Sequence, residues 1–282
     1  MKGKPFHDLL KDKFPFKPTK SQEKGFKAIS EFLTNSKKNK ILLIKGYAGT
    51  GKTTLIGHLV KHLNLVKKKS ILLAPTGRAA KVLSSYAGNS SYTIHKKIYF
   101  TQSYTEGSEI KFSLKENKHT NTVFIVDESS MIGDDRKENK FFENGSLLND
   151  LLYFVRSGEN CQLIFVGDIA QLPPVKLKLS PALSKEKLEL QFNCEVDNLT
   201  LDDVVRQDAL SGILFNATKI RELLLAEKFE GFEFILDGFK DVFKINEGGE
   251  FFELLDESLN TDGIDQTVLI VRSNKRANLF NK

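Results

Sequence analysis

Four short apolar runs stand out along the chain: ILLIKG at 41–46, SILLAP at 70–75, TVFIVD at 122–127 and QLIFVGD at 162–168. Their apolar residues are contiguous rather than alternating, and rich in branched side chains. That pattern predicts strands covered on both faces, as in a parallel sheet. Between the first two runs, Leu55, Ile56, Leu59, Val60 and Leu63 recur at helical spacing. Upstream, Phe26, Ile29, Phe32 and Leu33 share one face of a helix expected from about Lys20 to Leu33. Strand, helix, strand in this order implies an α/β fold with right-handed crossovers.

Other stretches break the pattern. Residues 98–121 alternate apolar and polar around Thr105-Glu106-Gly107-Ser108, which reads as a small β-hairpin insertion. Residues 1–18, punctuated by Pro5, Pro15 and Pro18, read as an irregular lead-in. Residues 174–198 are Lys-rich and then irregular, as in a crossover between domains. A helix is expected from Asp208 to Glu227, a strand at QTVLIVRS (266–273), and a helix start at Asn274. The expected order is a lead-in at 1–18, a first domain at 19–175 carrying the insertion at 98–121, a linker at 176–198, and part of a second domain at 199–282.

Composition narrows the class. The 282 residues, 40% hydrophobic and 28% charged, suit a globular chain of roughly two domains. No repeat or low-complexity tract is present, and no apolar run approaches the roughly 18–20 residues that span a bilayer. The N-terminus is too charged for a signal peptide. Cys161 and Cys194 form neither a disulfide framework nor a metal-ligand spacing. The expectation is a cytoplasmic protein with no membrane partner. The net charge of +6 points weakly to a polyanionic partner. Only seven arginines stand among 35 lysines, so each arginine merits attention for phosphate recognition.

The sharpest signal is Gly46-Tyr47-Ala48-Gly49-Thr50-Gly51-Lys52-Thr53, which fits GxxxxGK[ST] between a strand and a helix. Gly49 and Gly51 permit the backbone angles that turn successive N–H groups inward around an anion. The helix N-terminus adds partial positive charge. Lys52 is expected to reach the β- and γ-phosphates of ATP, and the Thr53 hydroxyl to ligate Mg²⁺. Gly46, Tyr47, Gly49, Thr50, Gly51, Lys52, Thr53 and Thr54 are the expected nucleotide contacts. Tyr47 is either a base neighbour or a spacer. At the end of the third apolar run, Asp127 is expected to hold Mg²⁺ and Glu128 to polarise the attacking water.

With these residues in place, the chain resembles the RecD/Dda-like branch of superfamily 1 DNA helicases over roughly residues 19–282. Thr19-Lys20-Ser21-Gln22 resembles the family's Q motif, and Ala74-Pro75-Thr76-Gly77-Arg78-Ala79-Ala80 its motif Ia. Thr93-Ile94-His95 resembles motif Ib, and Asp127-Glu128-Ser129-Ser130-Met131 motif II. Gly167-Asp168-Ile169-Ala170-Gln171-Leu172-Pro173-Pro174-Val175 resembles motif III, and Val205-Arg206-Gln207 motif IV. Arg272-Ser273-Asn274-Lys275-Arg276 resembles a strand-to-helix segment of the second motor domain.

The resemblance implies a RecA-like P-loop NTPase fold with the start of a second RecA-like lobe. It implies ATP-driven movement on single-stranded DNA. Gln22 would then clamp adenine, although Thr19 and Gln22 also fit a capping box, and both roles can coexist. Gln171 would sense the γ-phosphate and couple it to DNA. Arg206 would be an arginine finger. Pro75, Thr76, Arg78, Thr93 and His95 would contact DNA, with Ser273 and Asn274 adding backbone contacts and Arg276 placed alongside them. The hairpin would be a duplex-splitting pin. There Tyr99, Phe100 and Tyr104 either stack on bases or form the hairpin's own small core, and His95 either meets DNA or is structural.

Two other readings stay open: a helicase-like ATPase subunit of a recombination nuclease complex, and a nucleotide-switched DNA-binding module. Beside single-stranded DNA, a nuclease or repair protein is a possible partner, and a monomer is the favoured oligomeric state. The family's later motifs have no counterpart, and NKRANLFNK reads as the opening of a helix. The chain is therefore expected to be a fragment with little unwinding activity of its own.

Overall fold

The computed structural model describes residues 4–35, 37–100, 112–134, 142–174, 177–203, 211–226, 231–264 and 266–281. The chain divides into two compact units, Met1–Gln207 and Asp208–Lys282.

The first unit is built on a six-stranded sheet, ordered β3-β2-β4-β5-β1-β6, in which every pairing is parallel. The strands are β1 (Lys40–Gly46), β2 (Lys69–Ala74), β3 (Ser91–Thr93), β4 (Thr122–Val126), β5 (Gln162–Gly167) and β6 (Glu195–Leu201). The four apolar runs thus become β1, β2, β4 and β5, which form the centre of the sheet. Their side chains alternate between two cores. Leu42, Ile44, Leu72, Val123, Ile125, Ile164 and Val166 face one side, while Ile41, Leu43, Leu73, Phe124, Val126, Leu163 and Phe165 face the other. Strands flanked by two cores need no polar positions, which is why these runs are unbroken.

Helices α1 (Phe6–Asp12), α2 (Lys20–Thr34), α3 (Lys52–His62) and α4 (Gly77–Ala87) cover the first face. Helices α5 (Ile94–Ile98), α6 (Leu147–Ser157) and α7 (Lys185–Phe192) cover the second. Helix α2 begins at a complete capping box: Gln22 N–H donates to Thr19 Oγ1 at 3.3 Å, and Thr19 N–H donates to Gln22 Oε1 at 3.0 Å. The Asp203 carboxylate, just beyond β6, accepts from Ser21 N–H at 2.8 Å and ties the same helix end to the sheet.

Three expectations are corrected. The lead-in is not irregular, because α1 buries Phe6 and Leu10 against α2 and α3, with Pro5 at its N-cap. Residues 195–201 belong neither to a linker nor to a second domain. They form β6, paired with β1 from Lys40↔Glu195 to Gly46↔Leu201, and the unit boundary falls after Gln207 rather than near 199. Residues 266–273 do not form a strand, and Val268 and Ile270 are exposed. A strand of this type requires a neighbouring ladder, and the described residues of the second unit contain no strand. Those residues form α8 (Gly212–Leu225), α9 (Gly248–Thr261) and α10 (Asn274–Phe280). The helix expected from Asp208 is described only from Gly212, and that expected at Asn274 is present. Of the insertion at 98–121, the described part contains one antiparallel bridge, Tyr99↔Leu114.

Candidate nucleotide site and neighbouring strand ends

All six strands point the same way, so the loops that follow them leave the sheet along one edge. Open parallel sheets bind their ligands at this edge. The β1 loop carries Gly46 to Lys52, the β4 loop Asp127 and Glu128, and the β5 loop Asp168 and Gln171. Pairing of Ala74 with Thr93 sends Pro75, Thr76 and Thr93 out side by side from β2 and β3.

The β1 loop is shaped by close approach. Gly49 and Gly51 have φ of 80° and 82°, in the left-handed region open to glycine. At Gly46 a Cβ would lie 2.7 Å from Thr50 Oγ1 and 2.8 Å from the Leu201 carbonyl oxygen. Thr50 is fully buried, and its hydroxyl donates to Tyr47 O at 2.8 Å. Lys52 Nζ lies within the loop and donates to Gly46 O at 2.8 Å and Tyr47 O at 2.9 Å. It stands 4.0 Å from Asp168 Oδ2.

One cleft of about 290 Å³ joins these loops. Tyr47, Gly49, Gly51, Lys52, Thr53 and Thr54 line it from the β1 side, and Asp127, Glu128 and Gln171 from the β4 and β5 loops. Nine of the expected site residues therefore meet in a single cavity. Gly46, Thr50 and Gln22 are not part of the lining. Gly46 and Thr50 shape the loop, while Gln22 is buried behind it with its amide nitrogen 3.5 Å from Thr50 O. Arg206, with Val205 and Gln207, lies outside the described residues, as do Tyr104 and Val175.

Burial pushes the Asp127 carboxyl up to about 6, and neighbouring Glu128 pushes the same way. The Glu128 N–H, which donates to Asp127 Oδ1 at 2.9 Å, and the Lys52 ammonium oppose the shift. The oxygen donors Thr53 and Asp127 suit a hard cation such as Mg²⁺, which takes few protein ligands and fills its shell from phosphate and water.

Three lining residues had no role assigned from the sequence: Ala48 and Asp168, which stand inside the motifs quoted above, and Tyr86. Asp168 is buried, caps its own loop through Ala170 N–H at 2.8 Å, and faces Lys52. Its position directly after an apolar strand matches that of Asp127 and was a usable signal. Tyr86, exposed near the end of α4, carried no such signal.

The residues assigned to DNA fare unevenly. Thr76 and Thr93 cap α4 and α5 through Ala79 N–H and Lys96 N–H, each at 3.2 Å. Arg78 is exposed on the first turn of α4. His95 is half-buried among the rings of Tyr99, Phe112 and Phe142, at 5.7, 5.4 and 6.3 Å, and burial lowers its pKa. Tyr99 is a core residue whose hydroxyl donates to buried Asp150 at 2.6 Å, so it is not available for stacking. Phe100 beside it is exposed. In the second unit Ser273 caps α10 through Arg276 N–H at 3.3 Å, and Asn274 is exposed at its start.

The family model of the AAA domain (AAA_19) matches residues 30–177. The chain is 28% identical over 272 residues to an uncharacterized protein, MJ1519, of Methanocaldococcus jannaschii, covering 91% of this chain and 21% of that protein. It is 32% identical over 161 residues to the ATP-dependent DNA helicase dda of Enterobacteria phage T4, covering 56% of this chain and 33% of dda. It is 29% identical over 140 residues to the ATP-dependent RecD2 DNA helicase of Deinococcus radiodurans, covering 49% and 16%. These relatives bear out the resemblance to RecD/Dda-like proteins, and the chain spans a third or less of the length of each. Among the described residues, no helix is long and apolar enough to cross a membrane.

Proposed function

The chain belongs to the AAA domain family, and from that premise we propose that it is the ATP-hydrolysing part of a DNA helicase or translocase acting on single-stranded DNA. The observation that carries this reading is the convergence of Lys52, Asp127, Glu128 and Gln171 on one cleft from three loops.

The β1 loop N–H groups and the start of α3 receive the phosphates. Lys52 exchanges its loop carbonyls for phosphate oxygens. Thr53 and Asp127 would hold Mg²⁺, which would supply positive charge against the phosphates. Glu128 accepts a proton from the attacking water, and Gln171 donates to the terminal phosphate. Pro75, Thr76, Arg78, Thr93 and Phe100, on the same edge of the sheet or close to it, are assigned to the DNA backbone and bases. The threonines can serve as helix caps and still present a hydroxyl oxygen. Ser273, Asn274 and Arg206 are assigned by resemblance alone.

The test is steady-state ATP hydrolysis with and without single-stranded DNA. Turnover stimulated by DNA and abolished by Lys52→Ala is expected. Hydrolysis that DNA leaves unchanged would overturn the motor reading. A recombination nuclease partner would instead be found by co-purification from the source cells.

A further inference from the structure

Motif resemblance stops at the residue types; the hydrogen bonds between the β4 and β5 loops go further. Ser130 is buried in the 3-10 turn Ser129–Met131 that follows Glu128. Its hydroxyl oxygen lies 2.7 Å from Gln171 Oε1. An amide oxygen only accepts, so Ser130 donates. Gln171 itself sits on an exposed stretch, beside Leu172 at 90% exposure. Without a tether its amide would sample several rotamers and either face.

The turn carrying Ser130 is held firmly. The Ser129 hydroxyl donates to Val126 O at 2.8 Å. The Ser180 hydroxyl reaches both Ser129 O at 2.8 Å and Ile132 O at 2.6 Å. A Cβ on Gly167 would stand 3.2 Å from Ser130 N, so the end of β5 closely approaches the turn that carries Ser130. Pro174 packs against Gly133, closing the far end of the same contact.

We propose that Ser130 is a positioning residue that sets the polarity of the Gln171 amide. By occupying Oε1 it leaves the Nε2 hydrogens for the cleft that Gln171 lines. Among the described residues no protein acceptor takes those hydrogens. Phosphate oxygens are acceptors only, so a donor is the matching group. The opposite amide orientation would place a lone pair against the phosphate. The inference rests on the nucleotide-binding reading above and adds to it a means of telling a triphosphate from a diphosphate.

The test measures the affinity of the chain for a non-hydrolysable ATP analogue and for ADP by titration calorimetry, and takes their ratio. Four variants are compared: Ser130→Ala, Gln171→Ala, the double variant, and Gln171→Glu, which keeps the acceptor and removes the donor. Far-UV circular dichroism and the melting temperature check folding of each. Gln171→Ala is expected to lower the ratio about tenfold, equal to about 1.4 kcal/mol, and Gln171→Glu, which also brings a negative charge against the phosphate, by at least as much. Ser130→Ala is expected to lower it roughly three- to tenfold, with the double variant no worse than Gln171→Ala alone. A ratio unchanged by Ser130→Ala, or losses that add in the double variant, would overturn the inference while nucleotide binding stands. A wild-type chain that binds neither nucleotide would overturn the proposed function, and this inference with it.

Discussion

Tyr99→Phe removes one oxygen and keeps the ring, so it isolates a single buried hydrogen bond. The Tyr99 hydroxyl donates to Asp150 Oδ2 at 2.6 Å, and burial together with that carboxylate raises its pKa far above the ordinary phenol value. Asp150 is completely buried in the first turn of α6. Its other donors are Glu143 N–H at 3.2 Å, Asn144 N–H at 2.7 Å and Asn144 Nδ2 at 2.8 Å. The bond therefore joins the base of the insertion, the 142–146 segment and α6. Hydrogen bonds to charged groups contribute about 1.5–3 kcal/mol. Three donors and the helix N-terminus continue to serve the carboxylate, which favours the lower half of that range. A loss of about 2 kcal/mol, at a urea slope of about 2 kcal/mol per M, moves the unfolding midpoint down by about 1 M. Far-UV circular dichroism suits the measurement, because the chain has no Trp and the variant alters one of only six Tyr. Tyr99→Ala should cost more, about 3–5 kcal/mol, because it also opens a cavity beside Phe112, whose ring lies 4.9 Å away. A Tyr99→Phe midpoint within about 0.2 M of wild type would refute the reasoning. So would weakened single-stranded DNA binding in a variant of unchanged stability, since that would return Tyr99 to the stacking role.

Gly46→Ala forces a methyl group against Thr50 Oγ1 and the Leu201 carbonyl, at 2.7 and 2.8 Å. The backbone cannot yield as a side-chain tip does, so the expected cost is about 1–3 kcal/mol of stability and at least tenfold in nucleotide affinity. Calorimetric titration with ADP that gives wild-type affinity would contradict the crowding argument. Acid should weaken the fold through His58, whose Nε2 meets Leu10 O at 2.8 Å between α1 and α3. Burial, with smaller contributions from His62 and Lys61, holds its pKa below the usual 6.5, against the Leu10 bond. The unfolded chain then binds the proton more readily, so this contribution is complete above about pH 6.5 and is lost as the pH falls below it. Half-buried His95 and His119 act in the same direction. Replacing His58 by Gln should therefore flatten, without abolishing, the decline of the urea midpoint between pH 7 and 5. An unchanged slope would rule His58 out.

What the sequence made legible follows the range of the interactions involved. Strands β1, β2, β4 and β5 were readable because burial on both faces leaves an uninterrupted local run. The β1 loop was readable because its glycines and lysine lie within eight residues. Strand β6 departs from the expectation although it carries a signal: Val196, Leu199 and Leu201 are buried, while Asn198 and Thr200 are exposed. That partial alternation marks an edge strand, but its partner β1 lies about 155 residues away, so no local pattern names it. Helix α1 was hidden in a similar way. Phe6 and Leu10 have i, i+4 spacing behind Pro5, and the short helix gains its stability from α2 and α3. The apolar run at 266–273 is the converse case, a strand-like pattern with no ladder among the described residues to receive it. The Tyr99–Asp150 bond could not be read at all, because it links residues 51 positions apart.

Glu128 concentrates the relation between strain and function. Its φ of 53° and ψ of 35° place a long side chain in the left-handed region, where a residue of this type costs about 1–2 kcal/mol. The surrounding bonds enforce that conformation. Asp127 Oδ1 accepts the Glu128 N–H at 2.9 Å, and Met131 N–H donates to Glu128 O at 3.1 Å. The conformation turns the chain sharply after β4, so Asp127 and Glu128 enter the cleft while Ser129 and Ser130 turn back into the core. A residue tolerant of that region should relieve the strain at the expense of the carboxylate proposed above to accept the proton. Glu128→Asn is therefore expected to unfold at a urea midpoint equal to or above that of wild type while ATP hydrolysis falls below detection. A variant less stable than wild type by more than about 0.5 kcal/mol would show that the carboxylate supports the fold and that the left-handed turn carries little strain.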